Sequence, residues 1–148
     1  MIDKILKSNL ILLFRIIIGG VLIYASITKI ADPAIFARDI GNYHFLPFGL
    51  ENLMALILPW VELLAGVGLI MGIMVDGSAL LSMGMMAVFI IAIAQAILRG
   101  YDIECGCGLK EGQMVGLDKL IEDAVYFFLG WLIYKRSNRR FELYPKSD

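Results

Sequence analysis

The sequence is poor in the residues that build metal centres, electron relays and charged surfaces. It has one histidine and two cysteines in 148 residues. Soft tetrahedral metal sites take about four ligands. His44 falls in a different loop from Cys105 and Cys107, so no metal is expected. A single cysteine pair also excludes a chain of thiols that carries electrons across a bilayer. Charged residues make up 18% of the chain, against about 25% in ordinary soluble domains. Net charge is −1 and the pI about 5.8, so no strong field draws nucleic acid, and no nucleic-acid partner is expected. No internal repeat, low-complexity segment or flexible linker is apparent.

What is present is apolar. Hydrophobic residues reach 59% and mean hydropathy is +0.79, which excludes a disordered chain and a coiled coil. The 15 glycines and 8 methionines fall mostly inside apolar runs, as is tolerated between packed membrane helices. The expected fold class is all-α: an integral membrane four-helix bundle, one domain over residues 1–148, in contact with membrane lipid. A bilayer core takes roughly 20 apolar residues per helix, and four stretches qualify, at about 10–30, 53–75, 78–98 and 115–134. Lys4 and Lys7 before the first stretch resemble a signal peptide. The apolar run is longer than a cleaved segment's and contains Arg15, so a retained helix is expected. Asp76-Gly77 reads as the tight turn between the second and third spans. The fourth begins among Asp118, Lys119, Glu122 and Asp123. There Lys119 and Asp123 are spaced to pair, and acids suit the N-terminal end of a helix.

Basic residues near helix ends set orientation. Lys4 and Lys7 at one terminus, and Lys135, Arg136, Arg139 and Arg140 at the other, put both termini on the cytoplasmic side of the inner (plasma) membrane. The loops at about 31–52 and 99–114 then face outward. Within the first, Ile35, Phe36, Ile40, Tyr43 and Phe45 recur at helical spacing. Asp32 is placed as N-cap and Pro33 at the first position. A short amphipathic interfacial helix is expected there, ended by Gly41 or Pro47.

The cysteines stand in Asp102-Ile103-Glu104-Cys105-Gly106-Cys107-Gly108. Three readings are open: a redox dithiol, part of a metal site, or an inert pair. Ligand count weakens the second. A polar, glycine-flanked loop weakens the third, because inert cysteines are usually buried. For the first, Gly106 lets the backbone bend until the sulfurs meet. A bridge across one residue departs from preferred geometry, and strained disulfides are the labile ones. An outward-facing loop also meets an oxidising compartment. Asp102 and Glu104 oppose thiolate formation, and Arg99 and Lys110 are near enough in sequence to offset them.

Polar residues within membrane segments are costly and are site candidates by default. Glu62 has Lys29 as its most plausible partner, either as a structural pair or as proton-handling groups. Arg15, nearer the cytoplasmic end, is expected to snorkel to headgroups. Gln95 could hydrogen-bond a quinone carbonyl or merely another helix. Tyr43 and His44 fall at the level of the cysteine loop. His44 could exchange protons in thiol chemistry, but a lone loop histidine is more often simply solvated.

The residues Arg15, Gly19-Gly20 and Ala25-Ser26-Ile27-Thr28-Lys29-Ile30-Ala31-Asp32-Pro33 resemble the first-helix signature of the DoxX-like family. Phe36-Ala37-Arg38-Asp39-Ile40, Tyr43 and Leu46-Pro47, followed by Leu58-Pro59-Trp60-Val61-Glu62-Leu63 and Gly66, are similar to its methylamine-utilisation MauE branch. Cys105-Gly106-Cys107-Gly108 fits the Cys-Gly-Cys loop of that branch. The resemblance runs over about 15–134. It implies a four-helix membrane protein engaged in extracytoplasmic thiol–disulfide exchange beside a thioredoxin-like protein.

Three functions remain in competition. The leading one is a membrane thiol–disulfide oxidoreductase with Cys105 and Cys107 as catalytic residues. Its partner would be an extracytoplasmic thioredoxin-like protein and its second redox partner a lipid-soluble quinone. Lys29, Glu62, Gln95, His44, Tyr43 and Arg15 are then candidates for proton handling or partner binding. The second is a non-enzymatic subunit that docks a redox protein at the membrane. The third is a small transporter using Glu62 and Arg15, although four helices without an inverted repeat are few for alternating access. Oligomeric state is not legible.

Overall fold

The computed structural model describes residues 2–103, 114–136 and 142–144. These residues form five helices: α1 (Ile2–Ala31), α2 (Pro33–Asn42), α3 (Leu50–Met71), α4 (Val75–Leu98) and α5 (Leu117–Tyr134). Three of them carry stretches long and apolar enough to cross a membrane: Lys7–Ala31, Leu50–Met71 and Val75–Leu98. α5 has the length of about 27 Å that 18 residues give at 1.5 Å each. Its four charged residues near the start keep it outside that class.

α1 and α3 run antiparallel in close contact. The order of their touching residues shows it: Arg15 meets Leu69, Gly19 meets Gly66, and Lys29 meets Glu62. Glycine makes the crossing possible. A Cβ on Gly19 would stand 2.7 Å from the Gly66 carbonyl oxygen, and one on Gly66 would stand 2.8 Å from that of Gly19. Membrane helices lack a hydrophobic force between them, and such backbone contact supplies dispersion instead. α4 and α5 pair through Gly130, where a Cβ would fall 2.8 Å from Met83. α3 also packs on α4, α1 on α5, and α2 mainly on α3. The core runs through Ile18, Leu22, Ala65, Leu69, Ala79, Met86 and Ile133.

The turn between α3 and α4 lies four residues earlier than the sequence suggests. Gly72, in the left-handed region at φ 76°, ends α3. The N–H groups of Gly72 and Ile73 both donate to the Gly68 carbonyl at 3.0 Å, a glycine-dependent helix stop. Asp76 and Gly77 are therefore inside the first turn of α4, where an acid favours the helix N-terminus. The expected second span at 53–75 becomes Leu50–Met71, and the first helix begins at Ile2 rather than near residue 10. The chain after α5 folds back on this turn. Met74 N–H donates to the Tyr144 carbonyl at 2.7 Å, and Leu143 N–H to that of Gly72 at 2.9 Å. Arg136 fastens it to Asp76 at 2.8 Å and to Glu142 at 2.6 Å.

The interfacial helix forms as Pro33–Asn42. Asp32 caps it by accepting from the Ile35 N–H at 3.1 Å, and Pro33 fills a position that needs no donor. Its inward face differs from the simple apolar stripe. Phe36, Ala37 and Asp39 are buried, while Ile35 and Phe45 are exposed. Phe36 and Ala37 pack with Ala55, Ile40 and Leu58, which turns Asp39 inward with them.

Candidate functional site

Lys29 and Glu62 form the centre of the site. Lys29 Nζ donates to both carboxylate oxygens, at 2.7 and 3.0 Å. The side chains are 4% and 2% exposed, so the pair is shut off from solvent. Helix geometry explains how it closes. Lys29 is ten residues beyond the Gly19 contact and Glu62 four residues before Gly66, an axial gap of about 9 Å at 1.5 Å per residue. Side chains lean toward their own helix N-termini, so in antiparallel helices Lys29 reaches down and Glu62 reaches up. The ammonium also rests on two rings, Phe36 at 4.8 Å and Phe89 at 5.2 Å from the centroids. Such contacts favour a cation most when it is desolvated.

A second pair stands beside the first. Lys119 Nζ lies 3.2 Å from Asp123 Oδ1 and 3.2 Å from Glu122 Oε2. Lys119 and Asp123 are buried, and Glu122 is about one-third exposed. The Tyr126 hydroxyl donates to Glu122 Oε1 at 3.2 Å. Both pairs line one small cavity of about 20 Å³ together with Met86, Phe89 and Tyr126. The i,i+4 spacing on α5 makes the second pair legible from sequence. Its junction with Lys29 and Glu62 is not, because the acids look like ordinary helix-start charges.

Of the other candidates, Tyr43 is buried and lines a larger cavity of about 80 Å³ between α2, α3 and α4. Asp39, Leu58, Val88, Phe89 and Ala92 share its walls. Burial, then the carboxylates of Asp123 and Asp39, push the Tyr43 phenol well above its ordinary value. His44 is exposed at φ 48° and meets Tyr101 edge-on at 5.7 Å. Gln95 is half-buried on α4 and lines neither cavity.

Arg15 does not snorkel. It is 1% exposed, and its Nε donates to the Leu69 carbonyl at 2.8 Å. That carbonyl is in the last turn of α3, where the helix offers no internal partner, and a cation there also suits the helix dipole. Arg15 thus belongs to the far end of the molecule from the cluster.

Cys105 and Cys107 lie outside the described residues. The chain is anchored on either side of them. Val115 N–H donates to the Ile103 carbonyl at 2.8 Å, and Ile103, Val115, Tyr101 and Leu120 pack around Tyr43, Ile93 and Ala96. The segment carrying the cysteines therefore leaves and rejoins the fold at the end that holds α2.

A family model described as "Methylamine utilisation protein MauE" matches residues 7–135. The chain belongs to the MauE family. It is 30% identical over 115 residues to the Methylamine utilization protein MauE of Paracoccus denitrificans, covering 75% of this chain and 62% of that one. The protein of the same name from Methylorubrum extorquens is 33% identical over 116 residues, covering 74% and 62%. The chain thus spans about three-fifths of the length of these MauE relatives. No solved structure matches significantly. Family and apolar helices together identify a membrane protein with transmembrane helices.

Proposed function

We propose that this MauE-family chain is a membrane thiol–disulfide oxidoreductase working through Cys105 and Cys107, within the wider DoxX-like group. The observation that carries the reading is the closed anchor at Ile103 and Val115. It holds the ends of a Cys-Gly-Cys segment together, directly over the end of the molecule that contains the buried charges. Exchange with a thioredoxin-like extracytoplasmic protein runs through a mixed disulfide: a thiolate attacks one sulfur of a disulfide and the other sulfur leaves. Closing the Cys105–Cys107 bridge releases two electrons and two protons; opening it takes them up. Methylamine utilisation, named for the relatives, is one setting for such an exchange.

In this reading α5 is a fourth span and completes a four-helix bundle in the inner membrane. Its early charges are tolerated because Lys119 is paired internally with Asp123 and Glu122. Both termini are cytoplasmic and the cysteine segment faces outward, following the basic residues at each end. The second redox partner is a lipid-soluble quinone. The cavity between α2, α3 and α4 fits a flat apolar ring, with two polar groups, Asp39 and Tyr43, among mainly apolar walls. A quinone bound there would supply a two-electron, two-proton acceptor.

The test is trapping combined with labelling. Full-length protein with Cys105→Ser or Cys107→Ser, mixed with a thioredoxin-like partner whose one remaining active-site cysteine is activated as a mixed disulfide with an aromatic thiol, should give a covalent complex with one variant, releasing the aromatic thiolate, and none with the double variant. A membrane-impermeant maleimide should label the reduced cysteines from the outer face. Normal exchange by both single variants, or labelling from the cytoplasmic face alone, overturns the reading.

A further inference from the structure

The cavity between the two buried ion pairs contains a feature that thiol exchange does not require. Asp123 is about 4% exposed. Its Oδ1 faces Lys119, but its Oδ2 has no hydrogen-bond partner among the described residues. A buried carboxylate oxygen left without a partner is costly, and such an oxygen is usually met by ordered water or by a proton. Asp123 lines the cavity of about 20 Å³, and a site of about 10–15 Å³ already accommodates one water. The other walls supply polar partners for that water, since Lys29, Glu62, Lys119 and Tyr126 line the same space.

We propose that this cavity is a proton-loading site: one water held among Asp123, Lys29 and Glu62, with Asp123 as the carboxylate that takes and releases the proton. The neighbours give the route. Glu122 is the cluster's partly exposed member, and Lys119 stands at 3.2 Å from both Glu122 and Asp123. Lys119 passes a proton to Asp123 and regains one from Glu122, which regains its own from water outside. The net transfer is one proton from solvent to Asp123, and release reverses each step.

The elements packed around Asp123 differ in the charged and titratable groups they bring to it. α1 brings Lys29 and α3 brings Glu62. The C-cap of α2 brings Tyr43, close enough to interact with Asp123 electrostatically. α5 itself brings Lys119, Glu122 and Tyr126, and α4 lines the cavity with the uncharged Met86 and Phe89. With Lys29 paired to Glu62 and Lys119 shared between two acids, a proton on Asp123 leaves Glu122 as the counter-charge of Lys119. The inference stands on this cluster alone and does not depend on the cysteines.

The experiment is infrared difference spectroscopy of the full chain in lipid nanodiscs across a pH step, with no partner and no quinone. The expected result is a protonated-carboxyl carbonyl band that shifts in D₂O and is lost in Asp123→Asn. It should persist in Asp39→Asn, which changes the other buried aspartate among the described residues. Glu122→Gln should keep the band but slow its appearance after a pH jump. If Asp123→Asn does not fold, Asp39→Asn protein with ¹³C-labelled aspartate decides the matter, because an aspartate band shifts, a glutamate band does not, and the other buried aspartate among the described residues has been removed. No protonated-carboxyl band, a band insensitive to aspartate labelling, or one that survives Asp123→Asn overturns the site. An unchanged rate in Glu122→Gln overturns the route. Since no thiol is read, loss of thiol exchange in the trapping experiment leaves this result independent.

Discussion

Gly19 and Gly66 meet across the α1–α3 crossing with no side chain between them, each leaving less than 3 Å for a Cβ against the other's carbonyl oxygen. Above this contact Lys29 reaches Glu62, and below it Arg15 reaches the Leu69 carbonyl. The crossing therefore fixes the register at which both buried cations find their acceptors.

Gly66→Val should lower stability by about 1–3 kcal/mol, the usual cost of overpacking, because the obstructing atoms include the Gly19 backbone. Gly20 is the internal control. No atom lies within 4 Å of a Cβ there, so Gly20→Ala should be neutral or stabilising by up to about 1 kcal/mol through helix propensity. Thermal unfolding in detergent, followed by circular dichroism, compares the two.

Lys29→Met and Glu62→Leu should each destabilise by about 3–5 kcal/mol, since each leaves an uncompensated buried charge. The double variant should recover most of that loss, because two apolar side chains of similar size remove both desolvation costs at once. Unfolding midpoints for the four proteins form a double-mutant cycle. Simple addition of the two losses would show that the pair is not coupled.

The returning C-terminal segment depends on Arg136. Burial works against its charge, but Glu142 and then Asp76 outweigh that and raise its pKa. Arg136→Gln should release residues 142–144 from the Gly72–Met74 turn and speed limited proteolysis beyond α5. Asp76→Asn should have the smaller effect, because that carboxylate is 43% exposed and solvent replaces part of the contact. Mass spectrometry of the early cleavage products reads both.

The sequence made part of this architecture legible. The Lys29–Glu62 pair and the Asp32–Pro33 start of α2 follow from local rules: a costly intramembrane charge needs a partner, and a capped helix has a recognisable beginning. The fate of Arg15 did not follow, because its acceptor is a carbonyl freed only by where α3 stops. That stop was itself misplaced, since Asp76-Gly77 has turn composition while Gly72 has the left-handed conformation. The joining of Lys119 and Asp123 to the first pair is a tertiary event between α5 and α1. No periodicity within either helix encodes it.

The cavity beside Tyr43 can be tested by filling it. Leu58 and Ala92 are on its wall and do not line the smaller cavity, so Ala92→Leu should block binding of a short-chain quinone while leaving the Lys29–Glu62 pair in place. Tyr43→Phe keeps the ring and removes only the hydroxyl. One neutral hydrogen bond contributes about 0.5–1.5 kcal/mol, so quinone affinity should fall about 2- to 13-fold. The sign of the pH dependence follows from the raised phenol. Because burial and the two carboxylates disfavour the phenolate, the hydroxyl persists through pH values at which an ordinary tyrosine ionises. The difference in affinity between wild type and Tyr43→Phe should then stay constant into the alkaline range. Equilibrium binding titrations in nanodiscs at several pH values measure it. A difference that vanishes near the ordinary tyrosine pKa would mean that Tyr43 is solvated there and that the cavity is not closed as the structure has it.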